Sequence, residues 1–162
     1  LIDYSIIRPS IVIGNDDKFI NKLLKIFKLS FFIPIFGNGN ARFQPTYVDD
    51  VALAIEKLII KKETDGNIYE FGGNEILDYN SLYKIIIEEI NKKKILIPIP
   101  FFLAKFFIFF LEKLPIDLIN REQLELFKTD NIVGNNFLTF KDLNIKVANT
   151  KQIIKKIIKT NN

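Results

Sequence analysis

The chain has 162 residues, 48% of them hydrophobic, enough for one ordinary domain with a real core. Cys, His, Met and Trp are all absent. This excludes a disulfide framework, a Cys/His metal site, a thiolate nucleophile and an imidazole base, and leaves Asp, Glu, Lys and Tyr to move protons. The net charge is +4, but the lysines are scattered along helices and interleaved with acids, the pattern of a solvated surface and not of a nucleic-acid partner.

Tyr4 to Arg8 reads as a strand, followed by Pro9 and Ser10. Lys18 to Lys28 (KFINKLLKIFK) sets Phe19, Ile20, Leu23, Leu24, Ile26 and Phe27 at helical spacing. The next stretch, FFIPIFGNGNARFQPTY, is broken by Pro34, Gly37, Gly39 and Pro45 and is expected to be irregular or extended. From Asp49, DDVALAIEKLIIKK predicts a helix with acids in its first turn and lysines in its last, matching the helix dipole, with Asp49 and Asp50 as caps. NIYEFGG reads as a strand that stops on two glycines. Asp78 is the expected cap of the helix SLYKIIIEEINKK, which leads into the short apolar run ILIPIP.

The most apolar stretch, FFLAKFFIFFLEKLP, raises the question of a membrane span. Pro98, Pro100 and Lys105 interrupt it, and a clean run of about 20 residues is missing, so a buried or interfacial helix over 101–113 is expected. Asn120 with Gln123, and Thr139 with Asp142, have the spacing of capping boxes and mark helix starts. Thr150 is the expected cap of the last helix, and Thr160 to Asn162 reads as a frayed end. No repeat or signal peptide is visible. With no Met near position 1, the expectation is that the chain begins inside a longer protein.

A strand ending in Arg-Pro-Ser sets a rigid φ at its carboxyl edge, where ligands of open α/β sheets bind. Together, IIRPSIVIG, FIPIFGNGNARFQPTYVDDVA, YEFGG, PIPFFLAKFFIFFLEKLP and NREQLELFKTDN resemble the second half of the extended and atypical short-chain dehydrogenase/reductases, also called NAD-dependent epimerases or dehydratases. The likeness is greatest to the branch that supplies the nucleotide-binding accessory subunit of respiratory complex I and its bacterial relatives.

This resemblance implies an α/β fold: the C-terminal part of a Rossmann-like NAD(P)-binding domain plus a small helix-rich lobe, 1–162 being one fragment that lacks the N-terminal Rossmann half. It implies NADP or NAD as cofactor, bound mainly by that missing half, with Pro9, Ser10, Ile11 and Gly14 at cofactor-contacting positions. Arg42 matches an anion-binding position, with Gln44 and Tyr47 as substrate-pocket walls and Asp50 as the acid of the helix start. GNGNAR is expected to be a loop and not the phosphate cradle, since no G-x-x-G continuation opens a helix. None of the five tyrosines has a lysine four places on, so the family's Tyr-x-x-x-Lys is absent from these residues and no catalytic residue is expected in them. The implied partners are complex I subunits, with peripheral membrane contact through the Phe-rich helix, on the cytoplasmic or matrix face of an energy-transducing inner membrane. The alternative implied by the family is an active epimerase or oxidoreductase on a nucleotide-sugar-like substrate.

Overall fold

The computed structural model describes residues 4–60, 65–111 and 121–161. The strand β1 (Tyr4–Pro9) lies parallel to β6 (Asp65–Phe71), with Ile6 opposite Ile68 and Pro9 opposite Phe71. A parallel pair needs a crossover. It is supplied by the chain between them, which includes α1 (Lys18–Leu29) and α2 (Val48–Ile60).

The segment expected to be irregular or extended is extended in three places: β3 (Phe32–Phe36), β4 (Arg42–Phe43) and β5 (Thr46–Tyr47). Each finds its partner far away in sequence. β3 runs parallel to β8 (Ile95–Ile99), β4 antiparallel to β7 (Leu77–Asp78), and β5 parallel to β2 (Val12–Ile13). Gly37 and Gly39 correctly signalled a break, and Pro34 did not. Pro34 is accommodated inside β3, and the loop 37–41 is a turn in which Gly37 and Gly39 take φ of +63° and +69°. A side chain at Gly37 would collide with the Phe101 ring.

Two apolar clusters hold these elements. The larger joins α1, β3, α3 (Tyr79–Ile90), α4 (Phe101–Leu111), α5 (Arg121–Leu126) and α6 (Thr150–Thr160) around Phe27, Phe43, Tyr79 and Tyr83. Tyr79 stacks on Phe127 at 4.1 Å, while Tyr83 meets Phe27 edge-on at 5.1 Å, and burial pushes both phenols well above their ordinary range. The smaller cluster packs α2 against β6 and a 3₁₀ turn, Phe140–Leu143, through Ala54, Leu58, Tyr69 and Phe71.

The caps follow sequence chemistry in most places. Asp17 and Asp78 cap α1 and α3 by accepting from Ile20 N and Ser81 N, each at 2.7 Å. Thr139 and Asp142 close a reciprocal capping box, although it opens a 3₁₀ turn. Two assignments are corrected. The cap of α6 is Asn149, whose Oδ1 accepts from Gln152 N at 2.9 Å, while Thr150 is the first helical residue and receives its own support from Asn74. Neither Asp49 nor Asp50 is the cap, because α2 begins at Val48; both lie in its first turn as expected, and the Asp50 carboxylate accepts from Ala148 N at 2.9 Å. The helix expected over 101–113 is seen as Phe101–Leu111; residues 112–113 and the Asn120 half of the other capping box lie outside the described residues. Among those described, no helix is long and apolar enough to cross a membrane.

Candidate functional site

The carboxyl edge of β1 and β6 is where the expected residues converge, through four segments that lie far apart in sequence. Ser10 is 7% exposed; its N–H donates to Phe71 O at 2.8 Å and its hydroxyl donates to Asn131 O at 2.8 Å. Gln44 N donates to the same Asn131 carbonyl at 3.1 Å and lies 3.3 Å from the Ser10 Oγ. The Gln44 amide donates from Nε2 to Gly73 O at 2.7 Å and accepts at Oε1 from Val133 N at 3.2 Å. Segments 9–11, 42–46, 71–74 and 131–134 are thereby tied into one knot.

Glycine is required at its centre. A Cβ at Gly73 would lie 2.0 Å from the Pro45 carbonyl oxygen, and one at Gly72 would lie 2.5 Å from Gln44 Cδ. Gly14 likewise admits the α2 start, since a Cβ there would be 2.9 Å from Val48 Cγ1. Beside the knot is a cavity of about 370 Å³, bounded among others by Gln44, Glu70, Gly73, Val133 and Lys141.

The charged groups at this edge are mostly committed to one another. Arg42 donates from Nε and NH2 to Asp130 Oδ2 at 2.9 and 2.6 Å, and its backbone N–H reaches Oδ1 at 2.8 Å; this holds the Asp130 carboxyl below its ordinary range. Glu70 accepts from Gly134 N at 2.8 Å and faces Arg8 at 3.9 Å, while the Arg8 guanidinium lies 5.6 Å from the Phe137 ring centre. These contacts hold 134–138 along β6, where Glu70 N donates to Leu138 O at 2.8 Å. Tyr47 is half-buried, and its hydrogen bond to Asp49 raises its phenol.

Of the residues expected to meet a cofactor, Pro9 has its ring in the open at the strand end, and Ile11 is half-buried. An exposed proline ring suits one face of a planar ring. The Ser10 hydroxyl points into the knot, and Gly14 packs on α2, so these two support the edge from within. Arg42 is exposed and ion-paired with Asp130. Sequence reasoning missed Asp130, Asn131, Arg8 and Glu70: no local pattern shows that residue 130 returns to residue 42. Ser10→Ala removes one of the two donors to the Asn131 carbonyl, leaving the Gln44 N–H, and is expected to lower stability by about 1 kcal/mol in a urea titration. An unchanged midpoint would show the hydroxyl to be dispensable.

No protein-family model matches the chain. It is 32% identical over 155 residues to "NADH dehydrogenase [ubiquinone] 1 alpha subcomplex subunit 9, mitochondrial" of Arabidopsis thaliana, covering 90% of this chain and 39% of the relative. The protein of the same name from Dictyostelium discoideum is 31% identical over 148 residues, covering 87% and 40%. The chain thus spans about two fifths of the length of the curated relatives it matches. Among solved structures, dTDP-glucose 4,6-dehydratase from Bacillus anthracis in complex with NAD superposes with a TM-score of 0.66 at 17% identity, over 96% of this chain and 43% of that one. At that identity the likeness concerns the fold. Sequence and fold point the same way as the motifs: the chain is similar, over nearly its whole length, to part of the alpha subcomplex subunit 9 proteins of complex I, and it shares part of the Rossmann-like fold seen in dTDP-glucose 4,6-dehydratase.

Proposed function

We propose that the protein is an accessory subunit of respiratory complex I, with NAD or NADP held as a structural group, seated peripherally on the matrix or cytoplasmic face of the inner membrane. The observation that carries this reading is the 32% identity with the Arabidopsis subunit over 90% of the chain, across both apolar clusters. The edge geometry supports it. Ser10 and Gln44 bond within the knot and Arg42 bonds to Asp130, so the polar side chains here serve the fold, and Pro9 is left to meet the nicotinamide end of the nucleotide. A catalytic role on a nucleotide sugar would require Arg42 to exchange the Asp130 carboxylate, which takes both guanidinium donors on Oδ2, for a phosphate.

Membrane contact belongs to α4 in this reading. Ala104 and Ile108 turn inward, whereas Phe102 and Phe106, 71% and 59% exposed, form an outer face with Phe109 at i, i+4 and i+7. Aromatic side chains of this kind insert at the headgroup boundary.

The test is to tag the protein in its own cells, solubilise the membranes gently and resolve the complexes on a native gel. Comigration with complex I is expected, together with NAD(P) released on denaturing the purified complex. Recovery wholly in the soluble fraction with no respiratory subunit attached would overturn the reading.

A further inference from the structure

The amino-terminal part of the β3–β8 pair has an outer face that neither apolar cluster covers; at its carboxyl end Phe36 and Ile99 join the larger cluster. In the parallel register Phe32 stands opposite Ile95 and Pro34 opposite Ile97. Over the first four residues of β3 the sides alternate: Ile33 and Ile35 are buried in the larger cluster and Phe32 and Pro34 point the other way, while Phe36 at the carboxyl end is buried against Phe127. Phe32 is 55% exposed, Ile95 48% and Ile97 41%. At the amino end of this ribbon, Leu29 and Phe31 are also exposed. An apolar face this continuous on a twisted two-stranded ribbon marks a contact surface.

The charge beside it points to one kind of partner. The chain enters β8 through Lys92, Lys93 and Lys94. Lys94 donates to Ser30 O at 2.7 Å and Ile95 N to Phe31 O at 3.0 Å, so the lysine run is pinned at the end of the ribbon where Phe31 and Phe32 emerge. Lys92 and Lys93 are exposed. Cations at the rim of an exposed apolar face match the headgroups and acyl boundary of an anionic lipid surface, where the cations meet phosphates and the apolar residues enter beneath them.

We propose that the β3–β8 face with Lys92 and Lys93 is a second membrane-docking surface, selective for anionic lipid. This rests on the peripheral reading above but assigns lipid selectivity to different residues. α4 has no comparable lysine run; Lys105 on its outer side lies 3.8 Å from Glu125.

The experiment uses the protein expressed with all the sequence its gene encodes, floated with vesicles of phosphatidylcholine alone or mixed with cardiolipin. Binding is expected to be stronger to the mixed vesicles and to weaken with salt. Lys92→Gln with Lys93→Gln should lower affinity for the mixed vesicles about 25-fold and leave binding to neutral vesicles unchanged. Phe32→Ser, at a solvent-facing position, should weaken binding to both. If Phe102→Ser and Phe106→Ser abolish binding while the ribbon variants match the parent, this proposal fails and the peripheral reading stands. No binding to either vesicle overturns both. Failure is equally shown if Phe32→Ser dissolves a homo-oligomer, or releases a protein partner, without changing flotation, since the face then belongs to that contact.

Discussion

Phe71→Ala is expected to remove about 3–5 kcal/mol of stability. Phe71 is fully buried at the end of β6, opposite Pro9, and its ring stacks on Phe140 with centroids 4.3 Å apart and planes within 14°. The surroundings are poorly able to collapse into the space. Phe140 is fixed by the capping box of Thr139 and Asp142, Tyr69 is held by the ladder of β6 with β1, and the Phe71 carbonyl accepts from Ser10. The loss is therefore the transfer term plus most of the cavity term. Against a total of about 5–15 kcal/mol it leaves a marginal fold. Chemical denaturation should show a lower midpoint with an unchanged slope; a loss below about 1 kcal/mol would mean that the smaller cluster rearranges freely.

Gly73→Ala is expected to cost about 3 kcal/mol, at the upper end for overpacking. The added Cβ would lie 2.0 Å from Pro45 O and 2.6 Å from Thr150 Oγ1. The first of these is backbone and cannot turn aside. Pro45 is buried and is followed by Thr46, which pairs with Val12 in β2 and donates its N–H to Ile11 O at 2.9 Å. Relief must come from parting the 71–74 segment from 44–46, which breaks the Gln44 bonds to Gly73. The variant should thus unfold at lower denaturant, and its amides around Gln44 and Gly73 should exchange faster than those of α3. Equal exchange in both places would show that the clash is spread through the whole fold.

Much of the local structure is legible in the residues. Apolar spacing identifies α1, α2 and α3, because a helix can be recognised from neighbours within one or two turns. Asp17 was not singled out, but Asp78 and the Thr139 box were, since a cap bonds only three residues ahead. The likeness to the complex I subunit and the Rossmann-like fold were legible too, through several spaced segments, RPSIVIG and RFQPTYVDDVA among them. The glycine pair of YEFGG showed where β6 stops, though not why.

Tertiary structure decided what depends on partners far along the chain. The stretch from Phe31 to Tyr47 reads as irregular or extended; which parts become strands is set by Ile95, Leu77 and Val12, partners that no window around residue 40 contains. Asp50 looks like a helix-start acid by position and becomes a tether for Ala148 because that loop passes over it. Thr150 and Asn149 are both competent caps; in the fold the Thr150 hydroxyl turns to Pro45 O while Asn149 Oδ1 accepts from Gln152 N. Arg42 was recognisable as a candidate for binding an anion, but only the fold shows that Asp130 already meets it. Sequence by itself determined the elements whose stabilising contacts are local and the likeness that their motifs carry. The site and the strand pairing rest on contacts spanning tens of residues, whose closure the packed core makes possible.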